Sequence, residues 1–141
     1  MSTKSSMYVY ILLNKVLNAL KKENYKLISE YGLTLSQFAV LEALYTAGEL
    51  TTGEVMKKVL TTSGNIPVIV KNLAKEGYIT RRQSGNDKRK YMLNLSEKGQ
   101  RLMEELAPKN INHIEKSVSI WNEEEKRDLI RLLNKFRKDF Q

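Results

Sequence analysis

Apolar residues near the start of the chain recur on more than one helical face. Met7, Tyr10, Ile11, Leu13, Val16, Leu17 and Leu20 fall at helical spacing, and Val9 and Leu12 fill the gaps. A surface helix needs a single apolar stripe; this one carries enough for two partners, the chain's own core and a second subunit. The next helix is announced by "LTLSQF". Thr34 is placed to cap it, Gln37 to reach back as the other half of a capping box, and Leu33 and Phe38 to form a hydrophobic staple. Phe38, Leu41 and Tyr45 then form its inner face. The same grammar returns at "LTTGEV", with Thr51 and Glu54 as the box and Leu50 and Val55 as the staple, predicting a short helix to about Leu60.

In "NIPVIVKNLAKEG" the apolar positions Ile66, Ile69, Val70, Leu73 and Ala74 predict a further helix, and Gly77 stands where a left-handed residue ends it. Two short helices joined by a three- or four-residue turn, the second with a polar free face, have the helix-turn-helix layout. "YITRR" and "KYMLNL" flank Gly85 and Asn86; Tyr91, Leu93 and Leu95 alternate with Lys90, Met92 and Asn94, the period of a β-hairpin. A helix-turn-helix followed by a hairpin is a winged helix. Ser96 caps a long helix through Leu102, Met103 and Leu106, which Pro108 is expected to kink or end before the chain resumes at "KNINHIEKSVSIW". The last helix begins at Asn122, with Glu123, Glu124 and Glu125 in its first turn. Its stripe of Leu129, Leu133, Phe136 and Phe140 is expected to pack on the first helix. With no repeat, low-complexity tract or linker, residues 1–141 read as a single unit, mainly α with a small β-hairpin wing (α+β).

The chain's 141 residues suffice for one ordinary core. Its 24 Lys and Arg against 16 Asp and Glu leave a net charge of +8, which favours an anionic partner, nucleic acid or a membrane surface. Position decides between them. Arg81, Arg82, Lys88, Arg89 and Lys90 surround a Ser-Gly-Asn turn, with Asp87 the one acid among them. At the tip of a wing these cations reach along a DNA backbone; on an isolated hairpin they would be a solvated turn. The absence of cysteine excludes disulfides, a thiol switch and a cysteine nucleophile. His113 is the only histidine, too little for a zinc site, and no metal or cofactor is expected. There is no His-Glu-x-x-His, glycine-rich phosphate loop or nucleophile–base pair to suggest an enzyme. Asn14, Lys15 and Asn18 interrupt the apolar N-terminal stretch, no cleavage site follows, and no run approaches the roughly 18 apolar residues of a membrane span. A soluble cytoplasmic protein that does not enter membranes is expected.

From Leu33 to about Leu106, the order of helices, "EGYITR" and a wing with "DKRKYMLNLSEKG" resembles the MarR family of transcription regulators. The resemblance rests on Asp87 and Arg89 as an Asp-x-Arg pair and on Leu95, Ser96 and Gly99 as a Leu-Ser-x-x-Gly start to the next helix. The family's dimerising terminal helices extend it to nearly the full chain. It implies a DNA-binding lobe at 33–95 and dimerisation helices at 5–31 and 96–141. Arg89 would enter a minor groove, where A·T-rich sequence concentrates negative potential, and Asp87 would orient a neighbouring wing arginine. Arg81, Arg82, Asn86, Lys88 and Lys90 complete the wing contacts. Thr62, Ser63, Gly64 and Asn65 would face the major groove, with Pro67, Val68, Lys71 and Asn72 further along; Ser63 and Asn65 also suit plain capping. Thr51 and Thr52 would hold phosphates. One departure is the Ile66-Pro67 pair where relatives commonly have Ile then Thr or Ser, which implies an altered sequence preference. An effector pocket would draw on Tyr10, Leu17, Phe38, Leu41 and Tyr45, positions that core packing explains equally, and a dimer interface on Met7, Ile11, Trp121, Leu129, Leu133 and Phe136.

The function implied is a homodimeric transcription regulator, a repressor on a pseudo-palindromic double-stranded operator, released by a small aromatic or phenolic effector. Two other readings stay open: a winged-helix interaction module with no specific DNA site, and a constitutive DNA binder with no effector.

Overall fold

The computed structural model describes residues 2–59 and 65–139; the side chains of Ser2, Lys88, Lys138 and Asp139 are outside that description. Helix α1 (Ser2–Ser29) leads to α2 (Leu35–Ala47), a short strand β1 (Leu50–Thr51), α3 (Thr52–Lys58) and α4 (Ile66–Lys75). Strands β2 (Ile79–Ser84) and β3 (Asp87–Leu95) form the wing, and α5 (Glu97–Ser117) and α6 (Glu123–Asp139) complete the chain.

Local chemistry sets the ends of these elements. At α2 the Thr34 hydroxyl accepts from Gln37 N at 3.0 Å while Gln37 Oε1 accepts from Thr34 N at 2.9 Å. At α3 the Thr51 hydroxyl accepts from Glu54 N at 3.1 Å and Glu54 Oε1 accepts from Thr51 N at 3.3 Å. Each box satisfies two backbone donors that the first turn cannot, and such a cap is worth about 1 kcal/mol. Gly77, at φ 84°, ends α4 in a left-handed turn. Tyr78 N donates to Leu73 O at 2.9 Å and Gly77 N to Ala74 O at 3.1 Å, the paired bonds of a Schellman motif. Asn122 Oδ1 accepts from Glu125 N at 2.8 Å, and Glu125 Oε1 accepts from Asn122 N at 3.0 Å, boxing the start of α6.

The core sits where α2, α4, β3 and α5 meet the end of α1, and Ile28, Leu41, Leu73, Leu93, Met103 and Leu106 are fully buried there. Helix α2 is the central one: Val40, Ala43 and Leu44 are buried beside Phe38 and Leu41, so more than its inner stripe is covered. The sheet order is β1-β3-β2, antiparallel throughout. Leu50 pairs with Leu93 and Thr51 with Met92, which fastens the start of α3 to the base of the wing. A close approach fixes α5. The position a Cβ would take on Gly99 lies 2.1 Å from the Tyr78 carbonyl oxygen, and the Ser96 hydroxyl accepts from Gly99 N at 3.0 Å. Only glycine lets this first turn lie against the Tyr78 backbone just before β2, which is the physical content of the Leu-Ser-x-x-Gly pattern.

Two expectations are corrected. Pro108 neither ends nor divides α5, which runs unbroken from Glu97 to Ser117. Met103, Leu106 and Asn110 are buried on both sides of it, while Pro108 itself faces solvent, so packing of the flanking turns outweighs one lost backbone bond. The turn expected between α3 and α4 falls on residues 60–64, outside the described residues; α3 ends at Lys58 and α4 starts at Ile66. The apolar stripe of α6 is not buried against α1: Leu133 and Phe136 are exposed and Leu129 is half-buried, while Met7, Ile11 and Leu17 on α1 are exposed too. Helix α1 packs on α5 and α2 instead, joined there by His113 Nε2 at 2.7 Å from Glu23 O and by Lys109 Nζ donating to Tyr31 Oη at 2.7 Å. Phe140 lies outside the described residues.

Candidate nucleic-acid interface

The wing cations occupy distinct settings. Asp87 Oδ1 accepts from Arg89 N at 3.0 Å and from Arg89 Nε at 3.4 Å, so the carboxylate both shapes the turn and steadies the guanidinium base. Arg89 is nonetheless almost wholly solvent-exposed, with 92% of its side-chain surface free. The Arg81 guanidinium lies 5.2 Å from the centroid of the Tyr91 ring. Arg82 is held away from the tip: its Nη2 donates to Glu49 Oε1 at 2.8 Å, and the other carboxylate oxygen accepts from Asn94 Nδ2 at 2.6 Å. Lys90 and Asn86 are exposed.

Thr51, Thr52, Gly53, Glu54 and Lys57 from the start of α3 share one surface cleft of about 300 Å³ with Arg89, Lys90 and Tyr91 of the wing. The β1–β3 pairing is what brings these two segments together. Three cations and two threonine hydroxyls outnumber the one carboxylate, Glu54, whose Oε1 already accepts from Thr51 N, so the opening suits a phosphate group.

Helix α4 buries Ile66, Val70 and Leu73 and exposes Pro67, Val68, Lys71, Asn72 and Lys75. Asn65 takes the N-cap position, yet its side chain makes no capping bond and is exposed. Pro67 sits in the first turn, where the missing backbone N–H breaks no helical bond. Thr62, Ser63 and Gly64 lie outside the described residues.

The remaining candidate positions are scattered. Phe38 and Leu41 are core residues, Tyr45 is half-buried, and Tyr10 and Leu17 are exposed on α1. Met7, Ile11, Leu133 and Phe136 are exposed, whereas Trp121 and Leu129 are half-buried. A smaller cleft of about 240 Å³ between α1 and α5 is lined by Leu20, Lys21, Asn24, Ile114, Ser117 and Val118. Sequence reasoning missed three members of the interface: Glu49, Lys57 and Tyr91 as a stacking surface for Arg81. Lys57 had a signal, since it follows Glu54 by one helical turn. Glu49 had none, because its two partners lie 33 and 45 residues away.

Residues 22–106 match the family Transcriptional regulator SarA/Rot. The HTH-type transcriptional regulator MhqR of Bacillus subtilis is 30% identical over 123 residues, covering 87% of this chain and 85% of its own. Among solved structures, BpsR of Bordetella bronchiseptica, in work on regulation of its DNA binding by 6-hydroxynicotinic acid, superposes with a TM-score of 0.83 at 23% identity, covering 92% of this chain and 98% of the other. A mutant MarR from E. coli complexed with operator DNA gives a TM-score of 0.79 at 22% identity, with 94% and 95% covered. These relatives are regulators and not enzymes, and no helix among the described residues is long and apolar enough to cross a membrane. By its sequence match and its winged fold together, the chain belongs to the SarA/Rot transcriptional regulators, winged helix-turn-helix proteins of the MarR type.

Proposed function

We propose that the protein is a homodimeric repressor that binds a pseudo-palindromic operator, with two copies of α4 in successive major grooves about 10 base pairs apart and Arg89 of each wing in a flanking minor groove. The observation that carries this reading is the cleft that the start of α3 shares with Arg89 and Lys90 of the wing, held together by the β1–β3 pairing, on a chain whose α4 exposes Lys71, Asn72 and Lys75. The operator complex of the E. coli protein of like fold supports it. Dimerisation is supported by two exposed apolar surfaces, Met7 and Ile11 on α1 and Leu132 and Leu133 on α6, which water would otherwise cover at a cost.

The ligand named for BpsR supports a small aromatic effector here. Such a molecule releases the operator only if it binds one arrangement of the two lobes better than the other. Selection of bound sequences from a random duplex pool, run at two salt concentrations, tests the DNA reading. An inverted repeat that survives the higher salt is expected; binding that is sequence-blind and lost with modest salt would replace the regulator with an interaction module. A thermal-shift panel of aromatic acids and hydroquinones tests the effector, and no stabilisation across the panel would leave a constitutive binder.

A further inference from the structure

Val68 stands on the wrong face of α4 for an ordinary helical valine. It is 49% exposed, while the apolar residues that fix the helix to the core, Ile66, Val70 and Leu73, lie opposite. A β-branched side chain lowers helix propensity, so neither helix formation nor burial accounts for valine at this position. Its neighbours on the exposed face are Pro67, Lys71, Asn72 and Lys75. Pro67 and Val68 therefore make a small apolar patch inside a polar and cationic surface.

We propose that Val68 determines sequence preference by packing against the C5-methyl group of a thymine, and that Asn72 reads an adenine next to it. This rests on the reading of α4 as the helix that enters the major groove. The thymine methyl is the apolar group that unmodified base pairs present there, and an asparagine amide matches the N6 and N7 edge of adenine with two hydrogen bonds. Val68 and Asn72 are four residues apart, on one line along the helix and about 6 Å apart in rise. That separation is about two base steps of 3.4 Å. Each half-site should thus contain a thymine and an adenine no more than about two base pairs apart, with Lys71 beside them on the phosphate side or at a guanine edge. Pro67 extends the apolar contact and, with its fixed φ, holds the first turn in place for it.

The experiment replaces the thymines of the selected operator with deoxyuridine one at a time, which removes a methyl group and keeps the pairing edge. Binding of the full-length protein and of Val68→Ala is followed by fluorescence anisotropy. One thymine per half-site is expected at which uracil weakens the unaltered protein about fourfold, the effect of one buried carbon, and weakens Val68→Ala less than about twofold. Val68→Ser, which lacks both γ-methyl groups, should show the same insensitivity. A methyl effect equal in all three proteins, or absent at every position, overturns the proposal while leaving operator binding intact. Failure to enrich any sequence at all overturns it together with the DNA-binding reading, so the two failures are distinguishable.

Discussion

Arg82 and Glu49 are tied across the base of the wing, with Nη2 donating to Oε1 at 2.8 Å. Arg89 meets Asp87 only through Nε at 3.4 Å and keeps 92% of its side-chain surface in solvent, so the cluster that looks like five equal charges in sequence is graded in the fold. Arg89→Ala should lower the slope of log K against log salt by about 0.9, the share of one phosphate contact. Arg82→Ala should leave the slope nearly unchanged, and Glu49→Ala should raise it by freeing Arg82. Titrations at four or more salt concentrations decide the matter, and equal losses for the two arginines would remove the distinction.

Gly99→Ala illustrates a reversal of the usual helix rule. Alanine in a helix interior is normally better than glycine by about 1 kcal/mol. Here the new methyl group would meet the Tyr78 carbonyl oxygen at 2.1 Å, and backbone cannot yield cheaply. The variant should lose roughly 1–3 kcal/mol in denaturant unfolding, and a gain in stability would show that the first turn of α5 stands off the Tyr78 backbone.

Pro108→Ala should act in the opposite direction. Proline inside a helix costs about 3 kcal/mol, part of which is offset because proline also restricts the unfolded chain by about 0.4–1 kcal/mol. A net gain of about 2–2.6 kcal/mol is expected, read as a higher melting temperature. Loss of stability would mean that the ring itself packs against a neighbour.

The apolar surfaces of α1 and α6 define a further test. Truncation before Asn122 removes Ile130, Leu132 and Leu133 and should convert the proposed dimer to monomer in sedimentation velocity, with the helical spectrum of the winged lobe retained. A truncated chain that remains dimeric would place the interface on α1 alone.

How far the sequence could be read depended on the range of the interaction. Capping boxes at Thr34 and Thr51, the glycine turn at Gly77 and the alternation of Leu93 and Leu95 are local, and each was legible within a few residues. Strand β1 was not, because two residues carry no period; Leu50 and Thr51 read only as a staple and a cap until their pairing with Leu93 and Met92 is seen. Glu49 belongs to the same class, a residue made meaningful by partners far along the chain. The α6 stripe failed for another reason. An apolar stripe does not say which partner covers it; it was expected to pack on α1 within the chain, whereas Leu133 and Phe136 are exposed. Pro108 shows the limit of propensity, since buried turns on either side hold the helix through it.

The most direct test of the central claim is a hydroxyl-radical footprint of the protein on its selected operator. Two symmetric sets of backbone protection are predicted, with centres about 10 base pairs apart, flanked by minor-groove protection that Arg89→Ala removes. A single unsymmetrical footprint, or flanking protection unchanged by Arg89→Ala, would contradict the account.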